Sequence, residues 1–510
     1  MEGGYARRAG HRPRRGAAAG PWRRLWGRLW GRLWGRLTAV LGGRARTRVI
    51  VILACVLALD SADKGTVGAL APELRRDLGI TETQVGALVA VSSLSGAVAA
   101  LFVGLLTDRV HRVRLLTAGI TLWALAMSLG ALAGSFPALL LSRVLLGAVT
   151  ATAGPVLASL VGDYFPVAER GRIYGFILAG EMLGAGFGLI VVGDLGYLMS
   201  WRFSFWILAL LAIGLTWAVG RGLAEPARGG ASRMEPESRL LRPRTGGAEA
   251  GGAEPGGPRP GDLARRSIRR RGIAPEPSLV LREDPARMPM WRAVIYTLRI
   301  PTNRVMIIAS AVGYFFFAGL RTFAVEFIGG HYGLNKVAVS GLVPIVGVGA
   351  LLGVLSGGRL ADRLMRRGHP AARVVVPAAA YVAATALFLP AMTTTSLAAA
   401  IPLYTAAAFA LAAANPPLDA ARLDVMHFLL WGRAESARTT VRMAAEAGAP
   451  VAFGFVADMF SGVAGQAGGL EYAFLIMLAP LGANGVILLR ARRTYARDVA
   501  TAVASEERAR

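Results

Sequence analysis

The sequence predicts an all-α integral membrane protein, with twelve transmembrane helices in two pseudo-symmetric six-helix bundles, on three observations. Of its 510 residues 54% are hydrophobic and the mean hydropathy is +0.49, too apolar for a water-soluble chain of this size. Apolar segments long enough to span recur on both sides of a polar central stretch. A short charged stretch occurs twice, as GLLTDRVHRVR from Gly104 to Arg114 and as GRLADRLMRR from Gly358 to Arg367. Both copies lie between two apolar segments, and Asp108 and Asp362 are 362 − 108 = 254 positions apart, half the chain.

Taken in order, residues 1–48 form a basic tail containing RLWGRLWGRLWGRL, Arg24 to Leu37. A four-residue period on a helix gathers Leu and Trp on one half of the surface and Arg and Gly on the other. That suits a helix in the headgroup region with Trp26, Trp30 and Trp34 beside anionic lipid; the alternative is a low-complexity tail. No uninterrupted apolar core follows within the tail, so it does not read as a cleaved signal peptide. The first bundle, 49–224, holds segments near 49–71, 84–106, 114–135, 137–160, 172–195 and 203–223. A linker at 225–302 is rich in Gly, Pro, Arg and Glu over 225–291 and is too polar there to fold alone. It carries RRSIRRR, Arg265 to Arg271, which suits either anionic lipid or solvent, and ends in the amphipathic Met288 to Pro301, expected along the membrane. The second bundle, 303–492, holds segments near 304–328, 338–357, 372–393, 395–417, 439–461 and 471–491, and a tail occupies 493–510.

Charge placement sets the topology. The net charge of +26 would suggest a nucleic-acid partner in a soluble protein, but the arginines gather in the tail, the linker and alternate loops, so no nucleic acid is expected. Loops after the second, fourth, eighth and tenth segments carry Arg109, Arg112, Arg114, Arg170, Arg172, Arg363, Arg366, Arg367 and Arg433. The opposite loops hold only Arg75, Arg76, Arg202 and Lys336, which makes both termini cytoplasmic in an inner or plasma membrane. The lone Cys55 excludes an intrachain disulfide, and His111, His331, His369 and His427 show no metal-ligand spacing. No phosphate-binding G-x-x-x-x-G-K-S/T loop is present, so ATP-driven transport is not expected; neither are a cofactor nor enzymatic activity.

Ionisable residues inside a bilayer are costly and mark function by default. Asp60 and Lys64 stand four apart on one helix face, while Asp63 faces elsewhere and needs another partner. Counting residues from the outer ends puts Asp63 roughly 12 Å deep and Arg143 roughly 10 Å deep, with Arg321 in the same layer and Glu326 nearer the rim. Movement of an arginine beside such a carboxylate would let it bind a proton on one side and release it on the other; the alternative is a static ion-pair network. Glu181 sits beside the first glycine of a ladder of Gly180, Gly184 and Gly188 at close-packing spacing, and it reads as cavity lining or as a buried structural acid, as does Glu446.

The repeated stretch resembles the loop G-x-L-A-D-R-x-G-R-R of the major facilitator superfamily. The second copy matches through Arg363, and the first has His111 where that family has glycine. The resemblance implies that Gly104, Asp108, Arg109 and Arg112, with Gly358, Asp362 and Arg363, form cytoplasmic gates of an alternating-access transporter. Asp63-Lys64-Gly-Thr66 followed by Pro72, LSRVLLG from Leu141 to Gly147, and the stretch Arg433 to Asp458 are similar to the Spinster-like branch. That similarity implies proton coupling by Asp63 beside Arg143, with Thr150 where the branch often has a second acid. Helix five lacks the proline usual in the antiporter signature. The expected function is therefore proton-coupled transport, by a monomer, of a small solute that is amphipathic or lipid-like, with multidrug efflux or organic anion transport as the alternative. A reading from another class is a membrane scaffold, in which the helical body anchors the basic tail and linker.

Overall fold

The computed structural model describes residue 35, residues 38–229, residue 234 and residues 271–508, and it divides into two compact units. The first unit is Met1–Thr47 with Pro236–Pro243. Its described part is a short helical segment in which Arg46 Nε donates to the Leu41 carbonyl (3.0 Å) and Thr47 Oγ1 to that of Gly43 (2.9 Å). Apart from Gly35, the Trp/Arg repeat lies outside the described residues. All that follows concerns the second unit.

Among the described residues, twelve helical segments are long enough to span a bilayer. They are α1 Arg44–Ala69, α2 Gln84–Arg109, α3 Arg112–Ala131, α4 Phe136–Tyr164, α5 Val167–Val192 and α6 Trp201–Gly222, then α7 Pro301–Tyr332, α8 Lys336–Arg366, α9 Ala372–Thr393, α10 Leu397–Asp424, α11 Phe428–Gly462 and α12 Gly468–Arg508. All but α1 also contain a stretch apolar enough for a membrane span, and α1 is set apart by Asp60, Asp63 and Lys64 in its second half. Local signals mark the ends. Thr81 and Gln84 form a reciprocal capping box before α2, Pro301 opens α7, and Asn335 caps α8 through the Ala338 amide (2.9 Å). Helical assignment is continuous from Trp431 to Arg508, yet a Cβ on Gly469 would meet Ala457 and Ser461, so the chain folds back between α11 and α12.

Glycines set how closely the helices approach. A Cβ on Gly180, Gly184 or Gly188 of α5 would fall 2.4, 2.1 or 2.0 Å from the carbonyl oxygens of Ala54, Ala58 and Ala62 on α1. In the second half Gly349, Gly353 and Gly357 of α8 meet the carbonyls of Thr405, Phe409 and Ala413 on α10 in the same way. The obstacle is backbone and cannot swing aside. Gly184→Ala is therefore expected to destabilise the protein by about 1–3 kcal/mol, whereas Gly186→Ala, which meets nothing within 4 Å, leaves it unchanged. Thermal unfolding of the two variants in detergent measures the difference. Apolar side chains at helical spacing, such as Leu94, Val98, Phe102 and Leu106 of α2, stay exposed as a lipid-facing stripe.

The helices run further than their apolar cores. α10 and α11 continue through Asp424 and from Phe428, where the sequence reading placed a loop, and α12 continues through the expected tail, burying Tyr495, Val499 and Ala502. Hydropathy stops at the first cluster of charges, whereas a helix stops only where its hydrogen bonds do. The last part of the linker is ordered on α12. The Glu276 amide donates to Thr501 Oγ1 (2.9 Å), the Leu281 amide to Ser505 Oγ (3.0 Å), and Val280, Leu281 and Met288 are buried. Of the Arg265 to Arg271 run only Arg271 is described, and it donates to the Gly368 carbonyl (2.7 Å).

Candidate functional site

The two repeated motifs close one end of the molecule, the end that carries the arginine-rich loops. Gly104 allows α2 to press against the start of α11, where an added Cβ would lie 2.9 Å from the Gly432 carbonyl. Gly358 does the same for α8 against α5, at 1.8 Å from the Gly171 carbonyl. Each motif aspartate then caps a helix of the opposite half. Asp108 accepts from the amides of Gly432 (2.8 Å) and Arg433 (3.0 Å) and from Arg433 Nε (2.7 Å), with both side chains fully buried. Asp362 accepts from the Arg172 amide (2.8 Å) and from Arg373 Nη2 (2.8 Å). Free helix N-terminal amides favour a carboxylate, which is why an acid ends each motif helix.

The arginines inside the motifs behave differently from expectation. Arg109 and Arg363 are exposed, and Arg112 turns into its own half to pair with Asp163 while donating to Ser159 Oγ (2.9 Å) and Glu225 Oε1 (2.8 Å). Successive residues on a helix face different ways, so the neighbour of a buried aspartate points outward. Arg373 pairs with Asp424 at the matching place in the second half, the same 261 positions on (373 − 112 and 424 − 163). Arg170 reaches across to Asp424 Oδ1 (3.6 Å) and lies 5.0 Å from the Trp431 ring.

The start of the linker joins this network. Glu225 also accepts from the Val113 amide (2.9 Å), and Arg228 donates to the carbonyls of Thr107 (2.8 Å) and Val110 (3.0 Å). Burial pushes the Glu225 carboxyl up, but the hydrogen bonds from Val113 and Arg112 outweigh it and hold the group below its ordinary value. A depressed carboxyl stabilises the fold above its unfolded pKa, and that contribution is lost as pH falls through the folded one. The thermal-stability gap between wild type and Glu225→Gln is therefore expected at pH 7, to shrink once pH falls below the ordinary glutamate value of about 4.3, and to vanish only below the lower folded value, as melting curves across that range will measure.

Midway along the bundle, charged side chains from both halves line a cavity of ≈ 60 Å³. Asp60 and Lys64 of α1 and Glu181 of α5 face Asp419 and Arg422 of α10 and Glu435, Arg438 and Arg442 of α11, with Tyr174 and Tyr314 beside them. Four acids thus meet four cations. Lys64 pairs with Asp60 (2.8 Å), Arg438 donates to Glu435 (2.8 Å) and to Ser310 Oγ (2.8 Å), and Arg422 pairs with Asp419 and with Glu435 (3.3 Å). Arg442 lies over the Tyr314 ring (4.5 Å) and pairs with Glu446 (3.3 Å). Glu181 is within electrostatic range of Arg442 and Lys64, yet no hydrogen bond or ion pair to it is found among the described residues. A space of this size holds a water or two rather than an organic solute, so occupation requires the halves to separate.

Asp63 and Arg143 do meet, at 2.8 Å, buried between α1 and α4, with the guanidinium 4.5 Å from the Phe205 ring. Neither lines the central cavity. Arg321 and Glu326 are exposed on α7, and no hydrogen bond or ion pair joins them to that pair among the described residues. Counting residues gives depth but not azimuth, and Arg321 lies within electrostatic range of Lys64 rather than paired with Asp63. The sequence reading missed Asp419, Arg422, Glu435, Arg438 and Arg442. Their signal was available, because Glu435, Arg438, Arg442 and Glu446 follow one another at spacings of three or four and so share one helix face.

A family model described as Major Facilitator Superfamily matches residues 53–450. The chain is 27% identical over 172 residues to a probable L-galactonate transporter of Escherichia coli, covering 34% of this chain and 38% of that protein. It is 28% identical over 171 residues to a hexuronate transporter of Bacillus subtilis, covering 34% and 40%. The matched stretch thus spans about two fifths of the length of these curated relatives. Among solved structures, a bacterial homologue of the human lysosomal transporter Spinster, in an inward-facing and occupied conformation, aligns with a TM-score of 0.53 at 17% identity, covering 89% of this chain and 98% of that one.

Proposed function

Because the chain belongs to the Major Facilitator Superfamily, we propose that it is a secondary transporter that moves a small organic anion across the membrane by alternating access, coupled to protons. The observation that carries this reading is the central cavity, built from α1 and α5 on one side and α10 and α11 on the other, with four cations and four acids in its lining. A lining of that kind is costly to desolvate around an apolar guest. A carboxylate can instead take the place of Glu446 on Arg442 or of Glu435 on Arg438, in a charge-assisted pair. This favours the organic anion alternative over the lipid-like solute expected from the sequence, and the relatives named for L-galactonate and hexuronate agree with it.

Proton coupling is assigned to Glu181. An acid with cations on both halves and no direct partner among the described residues changes its proton affinity whenever Lys64 or Arg442 moves. Asp63, held by Arg143 inside one half, orients α1. With the arginine-rich loops on the cytoplasmic side of the cell membrane, the closed end is the cytoplasmic one. Counterflow in proteoliposomes tests the substrate class: hexuronates and aromatic carboxylates should exchange at least about tenfold faster than lysolipids or cationic drugs. Faster exchange of lysolipids or drugs would overturn the anion assignment.

A further inference from the structure

The helix Met290–Arg299 stands between the linker and α7 and is bound to the protein by one face only. Ala293 and Thr297 are buried, and Tyr296 Oη donates to the Leu279 carbonyl (3.0 Å). On the opposite face Trp291, Ile295 and Leu298 are exposed at 71%, 48% and 40%. Their spacing of four and three residues makes one narrow apolar stripe. A single extended residue, Ile300, separates this helix from α7, which starts at Pro301, so the two helices cannot be coaxial. The stripe is thereby fixed at the level where α7 enters the bilayer.

The charges beside it suit an anionic surface. Arg299 and Arg304 are exposed and have no carboxylate partner among the described residues, while Arg292 makes only an exposed pair with Glu283 (3.2 Å). An apolar stripe with a tryptophan, flanked by free arginines at a span entrance, matches the acyl and headgroup layers of an anionic leaflet. The helix is also wired to the gate. Arg433, which holds Asp108, donates through Nη1 to the Met288 carbonyl (2.6 Å) and through Nη2 to the Pro285 carbonyl (3.0 Å).

We infer that the helix Met290–Arg299 docks on the anionic lipid surface at the arginine-rich end, and that this docking steadies Arg433 on Asp108 through the carbonyls of Pro285 and Met288. The test uses the full chain with Cys55→Ser, so that an introduced cysteine is the only one. A bimane label at Trp291→Cys or at the exposed Ser278→Cys is exposed to nitroxide-labelled lipid in vesicles of phosphatidylcholine, with and without phosphatidylglycerol. The expected result is quenching at 291 about threefold above that at 278, increasing with phosphatidylglycerol. Equal quenching at the two positions, or no response to phosphatidylglycerol, overturns the docking. A spin-label pair at Arg109→Cys and Arg363→Cys, one exposed position in each half, reads the gate without any change to the helix. Phosphatidylglycerol should raise the closed population about threefold, and an unchanged distance distribution overturns the link to Arg433. Neither readout depends on transport, so failure here is distinguishable from failure of the transport reading.

Discussion

Asp108→Ala should open the arginine-rich end of the molecule. The substitution removes the acceptor of three hydrogen bonds and leaves Arg433 fully buried without its carboxylate. Stranding one partner of a buried pair costs about 3–5 kcal/mol, and the cost falls on the conformation in which the two halves meet. Separation returns Arg433 to water, so the closed population should collapse while the fold of each half survives. Asp108→Leu with Arg433→Leu removes both charges and should recover a good part of the closed population, because no charge is then stranded. Distances between spin labels at positions 109 and 363 measure both effects. A double variant as open as Asp108→Ala would mean that the amide capping by Asp108 carries the gate and the ion pair does not.

Arg442→Gln should cost at least about 30-fold in affinity for an organic anion, the scale of about 2–5 kcal/mol seen when one member of a desolvated charged pair is truncated. Arg442 is the cation that faces Glu181 across the cavity, and its guanidinium is fixed over Tyr314. Glutamine keeps a donor but loses the charge and the planar fork that a carboxylate needs. Arg442→Lys retains the charge and should recover part of the affinity, which separates loss of recognition from loss of fold. Thermal stabilisation by added anion gives the binding without requiring transport. Equal stabilisation of wild type and Arg442→Gln would place recognition elsewhere in the cavity.

The fold and the inward-turned motif aspartates were legible because both rest on one-dimensional signals: apolar length, alternation of basic loops, and a motif repeated at half the chain. Their partners were not. Arg433 lies 325 positions from Asp108, and nothing local marks it, among the loop arginines that turn inward, as the one that meets Asp108. The cavity charges were hidden for a different reason. Hydropathy scores each charge singly, so segments end where Glu435, Arg438 or Arg422 begin, whereas in three dimensions these groups neutralise one another and the helix continues. Asp63 with Arg143 was found because depth and the family resemblance both bring the two together, but depth could not show that neither lines the cavity.

Whether Glu181 couples protons to an organic anion is read from proton movement in proteoliposomes, followed with a pH-sensitive dye while an organic anion gradient is applied to wild type, Glu181→Gln and Asp63→Asn. The anion should drive proton flux in wild type, Glu181→Gln should reduce it to background while anion exchange continues, and Asp63→Asn should retain coupling in whatever fraction of the protein remains folded. Loss of flux in Asp63→Asn together with retained flux in Glu181→Gln would contradict this assignment, and would move the coupling site from the central cavity to the buried pair with Arg143.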